Sequence, residues 1–168
     1  DDFQFHPDPV LFYRIPQTGL YELEIKDSIF RGREDFVYRI EVGELPFLKT
    51  IFPMGTRVDK PTAVSVDGWN LPVDTIDVDY QTKEVGRFAI SVDARKTRSN
   101  ELPFDVDDFI EVFDQEPNDE TDSAQVIKPP CIVNGRIDFP GDWDLFHFRG
   151  RKGFKVMLEV DARRMNSP

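Results

Sequence analysis

Residues 64–71 read Val-Ser-Val-Asp-Gly-Trp-Asn-Leu, a short alternating run closed by turn-forming residues. Successive side chains of a strand point to opposite faces, so Val64 and Val66 share one face and Ser65 and Asp67 the other. The Gly and Asn suit a tight turn leading out of the strand, since both tolerate positive φ. The same period recurs along the chain. Tyr21, Leu23 and Ile25 alternate with Glu22, Glu24 and Lys26, and Phe36, Tyr38, Ile40 and Val42 alternate with Val37, Arg39 and Glu41. Ile76, Val78 and Tyr80 alternate with Asp77 and Asp79, and Phe154, Val156, Leu158 and Val160 flank Lys155 and Glu159. One face of each run is apolar and the other wet, as in antiparallel sheets. Turn signals such as Pro16-Gln17-Thr18-Gly19 and Asp67-Gly68 separate them. The pattern predicts an all-β chain of sandwich type. Only residues 119–126 are expected to make a helical turn or two, capped by Asn118 or Asp119.

The 168 residues are enough for one good core or two small ones. The 13 Pro and 10 Gly are spread along the chain, which favours two small β units. Three segments emerge: 1–43, 44–112, and 113–168, the last opening with the polar linker Phe113–Ser123. The chain opens on Asp1-Asp2 in mid-pattern and is expected to be a piece of a larger protein.

A net charge of −11 repels nucleic-acid phosphate and anionic lipid, so neither nucleic-acid binding nor membrane insertion is expected. No apolar run approaches the roughly 20 residues that span a bilayer. Cys131 is the one cysteine, which excludes an intrachain disulfide. In Pro-Pro-Cys-Ile-Val it is expected as a small buried residue at a strand start.

Catalysis is not expected. A nucleophile-base set needs Ser or Cys beside His. His6 lies next to a proline, and His147 alternates with Phe146 and Phe148 as a surface strand residue. No Gly-x-Ser-x-Gly motif is present, and carboxylate pairs such as Asp77 with Asp79 arise by chance in so acidic a chain.

Two acidic loops carry the sharpest chemical signal. Glu116, Asn118 and Asp119 lie on one, Asp142 and Asp144 on the other. Together they would supply five side-chain oxygen donors, suited to calcium, which takes six to eight oxygens at about 2.3–2.6 Å. Solvated turn residues account for the same positions. Zinc is disfavoured for want of a His/Cys cluster. Trp69 and Trp143 sit in turn contexts where rings could stack on sugar or on a peptide strand; Trp69 equally fits a plug at a strand end.

Two resemblances sharpen these expectations. The middle segment, with Pro46, Phe52-Pro53-Met54-Gly55 and Val64-x-Val66-x-Gly68-x-Asn70-Leu71, resembles an immunoglobulin-like domain of the IPT/TIG type, which implies a separate seven-strand-like sandwich over 44–112. The last segment carries Glu116-Pro117-Asn118-Asp119, Val133-Asn134-Gly135-Arg136-Ile137, Gly141-Asp142-x-Asp144-x-Phe146-x-Phe148 and Gly153. It resembles the first half of a bacterial pre-peptidase C-terminal (PPC) domain, a jelly-roll-like β-sandwich of secreted hydrolases and surface proteins. Residues 1–43, with Asp8-Pro9, Pro16-x-x-Gly19-x-Tyr21 and Asp35-Phe36-Val37-Tyr38-Arg39-Ile40, look like its second half. The two terminal segments would then nearly rebuild one sandwich, within a chain or exchanged across a homodimer. The resemblance implies a secreted, periplasmic or cell-surface bacterial protein. It further implies a noncatalytic accessory or spacer role, calcium at matching positions, and an extracellular polysaccharide or protein as partner. A dedicated carbohydrate- or protein-binding module is the competing expectation.

Overall fold

In a computed structural model of the chain, residues 2, 3, 6–80 and 84–167 are described. They are all-β. The strands are β1 (Asp2–Phe3), β2 (His6–Pro9), β3 (Phe47–Phe52), β4 (Gly55–Arg57), β5 (Thr62–Trp69), β6 (Thr75–Val78), β7 (Gly86–Ile90), β8 (Asp93–Ala94), β9 (Thr97–Arg98), β10 (Leu102–Asp107), β11 (Ile110–Phe113), β12 (Gln125–Val126), β13 (Cys131–Asn134) and β14 (Phe146–His147). A single 3-10 turn, Arg163–Met165, follows. Where a helical turn is expected over 119–126, the chain makes a tight turn instead, the Ser123 N–H donating to the Glu120 carbonyl at 3.0 Å.

The core lies in the middle segment, between two three-stranded sheets. One has the order β3-β5-β6, antiparallel throughout; the other has β4-β10-β7, with β4 parallel to β10. β3 and β4 are separated only by Pro53 and Met54 yet belong to different sheets, so the chain turns a corner there. Alternation produces the core directly. Leu48, Ile51, Val64 and Val66 face Ile90, Leu102, Phe104 and Val106 in one buried cluster. Tyr80 closes its side, stacked 5.7 Å from Phe104 and tilted 5.0 Å from Phe88.

The turn expected at Asp67-Gly68 falls later. β5 continues through Trp69, and the positive φ of 54° belongs to Asn70, whose side chain donates to the Leu45 carbonyl at 2.9 Å. Gly68 serves close approach instead: a Cβ there would meet the Phe47 carbonyl oxygen at 1.9 Å. The register between β3 and β5 shifts just beyond this point, between Leu48 and Thr50.

β11 crosses the boundary expected at 112/113 and pairs in parallel with β13, from Ile110↔Cys131 to Phe113↔Asn134. Cys131 does open a strand, half-buried. β12 and β14 form a second parallel pair. Phe113 meets Phe52 edge-on at 6.0 Å, and the Arg136 guanidinium lies 3.9 Å from the centre of the Phe52 ring. Further on, Met165 is buried near β10, and Asp161 reaches Arg87 at 4.0 Å.

Three of the expected strands do not form. Residues 10–46 contain no strand, so the runs at 20–26 and 36–42 are unladdered, and the run at 154–160 is likewise irregular. Alternation specifies which face would be buried, but a strand exists only when a second backbone completes its hydrogen bonds. The ion pairs here are local, such as Glu24–Lys26 and Arg39–Glu41. Tyr21, Leu23, Ile25, Val156 and Leu158 remain exposed, so the two terminal segments do not cover each other within the chain.

Candidate metal centre

The acidic loops leave the paired strands side by side. The Asp114 N–H donates to the Asn134 carbonyl at 2.9 Å where β11 and β13 end, which sets Asp114 at the start of the first loop. The second loop enters β14, held against β12 by Gln125 N–H to the Leu145 carbonyl at 3.0 Å. Asn118 joins the two. Its side-chain nitrogen donates to Asp114 Oδ1 at 2.5 Å, and the Leu145 N–H donates to its side-chain oxygen at 3.3 Å and to its carbonyl at 3.2 Å. The Trp143 N–H adds a bond to Asp119 Oδ1 at 3.2 Å.

The carboxylates converge in two overlapping sets. One oxygen each of Glu116, Asp119 and Asp142 lie within 4.8 Å of one another, and so do oxygens of Asp114, Glu116 and Asp144. Glu116 belongs to both. Ligands of one calcium ion, each about 2.3–2.6 Å from it, stand at most about 5 Å apart, so either set matches. Gly135 makes room: a Cβ there would lie 3.2 Å from Asp144 Oδ2 and 3.4 Å from Asp114 Cβ.

Two buried oxygens within this site have no hydrogen-bond donor. Asp142 is 7 % exposed, and its Oδ2 accepts the Asp138 N–H while Oδ1 has no partner; Asp144 Oδ1 is buried and equally without one. A buried carboxylate oxygen with neither donor nor cation is costly. Burial, and then Asp114, Asp142, Glu116 and Asp138, push the Asp144 carboxyl up to about 6. The strongest influence on Glu116 is the Asn118 N–H, which favours the carboxylate, but burial and three acidic neighbours outweigh it and raise the group overall. Oxygen-only donors, their spacing and the orphaned Asp142 Oδ1 all fit a hard divalent cation such as calcium.

Of the residues singled out in the sequence, Glu116, Asp119, Asp142 and Asp144 thus come together. Asn118 also lies here, fully buried, but with its amide engaged as the clasp between the loops. Asp114 was hidden in the run read as a linker; its spacing two residues before Glu116 is the signal for it. Trp143 is 65 % exposed beside the site. Trp69 lies elsewhere, stacked on Phe12 at 4.9 Å and on Phe47 at 5.3 Å, an arrangement in keeping with a plug at the strand end.

No protein-family model, curated protein or solved structure matches this chain.

Proposed function

We propose that the chain is a noncatalytic accessory region of an exported bacterial protein, with a C-terminal unit stabilised by calcium. Its role is to space or attach the parent protein at an extracellular polymer. The observation that carries this reading is the orphaned, buried Asp142 Oδ1 at the meeting of two acidic loops. A cation there neutralises several carboxylates and locks the loops together, a structural use of metal that needs no reaction. The noncatalytic part rests on the lack of a nucleophile-base motif, with His147 exposed on β14. The immunoglobulin-like reading of 44–112 is supported by the corner at Pro53 and the parallel pairing of β4 with β10. The PPC-type reading of the terminal segments rests on their motifs and on the convergence of Glu116, Asp119, Asp142 and Asp144.

Titration calorimetry of the chelator-treated chain with calcium tests the proposal. Saturable binding that is lost in Asp142→Asn is expected; no binding heat at millimolar calcium would remove its basis.

A second reading, a dedicated carbohydrate- or protein-binding module, is favoured by Trp143, which presents its ring to solvent next to the acidic loops. Exposed aromatic rings on a rigid site stack on sugars or cap cationic side chains. Binding on a glycan array that disappears in Trp143→Ala would select this reading.

A further inference from the structure

The chain exposes 13840 Å², whereas a compact monomer of 19.5 kDa exposes about 8500 Å². Most of its exposed large apolar side chains fall in 11–42 and 154–160. The excess is several times the roughly 800 Å² that each partner buries in a standard interface. Both stretches are strand-patterned and lack ladder partners.

Their sequences also complement one another. Residues 21–26 read Tyr-Glu-Leu-Glu-Ile-Lys and residues 154–159 read Phe-Lys-Val-Met-Leu-Glu. Aligned in parallel, Tyr21, Leu23 and Ile25 stand beside Phe154, Val156 and Leu158 on one face. On the other, Glu22 meets Lys155 and Lys26 meets Glu159, opposite charges at both ends. The antiparallel alignment that matches the same ends sets Lys26 against Lys155 and Glu22 against Glu159, which is repulsive. Parallel pairing is already the rule in this part of the chain, in β11 with β13 and β12 with β14. The wider charge balance agrees. Residues 149–165 carry six basic and two acidic side chains in a chain of net charge −11, so this stretch is attracted to the acidic remainder of another copy. The exposed local pairs Lys26–Glu24 and Glu159–Arg164 hold little energy against such an exchange.

We propose that residues 20–26 of one copy pair in parallel with residues 154–160 of a second copy, and reciprocally, to give a closed two-fold dimer. Two such contacts per dimer satisfy two strand edges and cover two apolar faces, and the two-fold relation ends the assembly at two chains. The pairing is independent of the calcium reading, since neither segment contains an acidic-loop residue.

Sedimentation velocity of the full chain from 1 to 100 µM, in calcium and in chelator, tests it. A dimer of twice the 19.5 kDa chain mass is expected in both. Lys155→Glu should weaken the dimer about tenfold, as two cross-strand attractions become repulsions, and adding Glu22→Lys should restore it. Mixing Cys131→Ser chains carrying Tyr21→Cys with others carrying Phe154→Cys should give a mixed disulfide on oxidation, while Tyr21→Cys chains alone should not cross-link. A monomer throughout, open-ended aggregation, binding only to a different protein, or Lys155→Glu without effect would each overturn the proposal. Tyr21, Glu22, Phe154 and Lys155 are exposed, and the half-buried Cys131 is replaced by a residue of nearly its own size, so misfolding does not obscure the result.

Discussion

The Leu145 N–H donates to the Asn118 side-chain oxygen at 3.3 Å, across 27 positions of sequence, while the Asn118 amide nitrogen holds Asp114 Oδ1 at 2.5 Å. One fully buried asparagine therefore aligns both acidic loops. Carboxylates this close repel one another, so the neutral clasp supplies geometry that the ligands themselves oppose.

Asn118→Ala is expected to lower stability by about 2 kcal/mol, because it removes the donor to Asp114 Oδ1 and leaves the Leu145 N–H only the backbone carbonyl of residue 118. It should also abolish calcium binding with all carboxylates still present. Urea denaturation and a calcium titration of the variant check the two parts.

Calcium should raise the melting temperature of the chain, since a ligand selective for the folded state stabilises it by about 2.7 kcal/mol at a hundred times its dissociation constant. In Asp142→Asn the rise should vanish. Without calcium, that variant should be at least as stable as the parent, having lost a buried charge among like charges. Scanning calorimetry in millimolar calcium and in excess chelator decides the matter: identical melting of the parent in both counts against the site.

Glu111 offers a pH signature outside the calcium loops. Burial, and next the charge of Asp107, push its carboxyl up to about 7, although Asn134 donates to Glu111 Oε2. Its folded value lies above its unfolded one. The stability linked to its proton is thus fully present below about pH 4.5 and is lost as pH rises through 7. Glu111→Gln keeps an oxygen for Asn134 and cannot ionise. At pH 8 it should be more stable than the parent, and near pH 4 the two should be alike. Denaturation curves at the two pH values, in chelator, check this; equal differences at both would refute it.

Gly68→Ala should disrupt the β3–β5 pairing. The added methyl would meet the Phe47 carbonyl oxygen at 1.9 Å, and a backbone atom inside a ladder cannot move aside as a flexible side-chain end can. A loss of about 3 kcal/mol or more is expected, a backbone clash being among the few causes of so large an effect. Chemical denaturation of the variant measures it; a loss below about 1 kcal/mol would show that the sheet yields.

Local chemistry was enough to read much of this protein. Period-two alternation identified β5 and β6, and it gave the all-β class. Side-chain type was enough to nominate Glu116, Asp119, Asp142 and Asp144, because only hard oxygen ligands recur in those two turns. His147 on the solvent side of β14 followed from the same alternation, and Cys131 at the head of β13 from its place after two prolines. Other features depended on which backbones meet. The runs at 20–26, 36–42 and 154–160 are as well patterned as β5, yet they form no ladder in the chain, because hydrogen bonding between strands needs a partner that alternation does not name. Gly68 looked like a turn residue and proved to be a point of close approach, since only the β3 neighbour reveals that Phe47 stands there. Asp114 joined the acidic site because β11 and β13 end together, and Asn118 became its clasp because β12 and β14 set Leu145 beside it. Pattern along a chain encodes preference for a face, whereas the contacts that build a site are made between segments far apart in sequence, and only the fold brings those together.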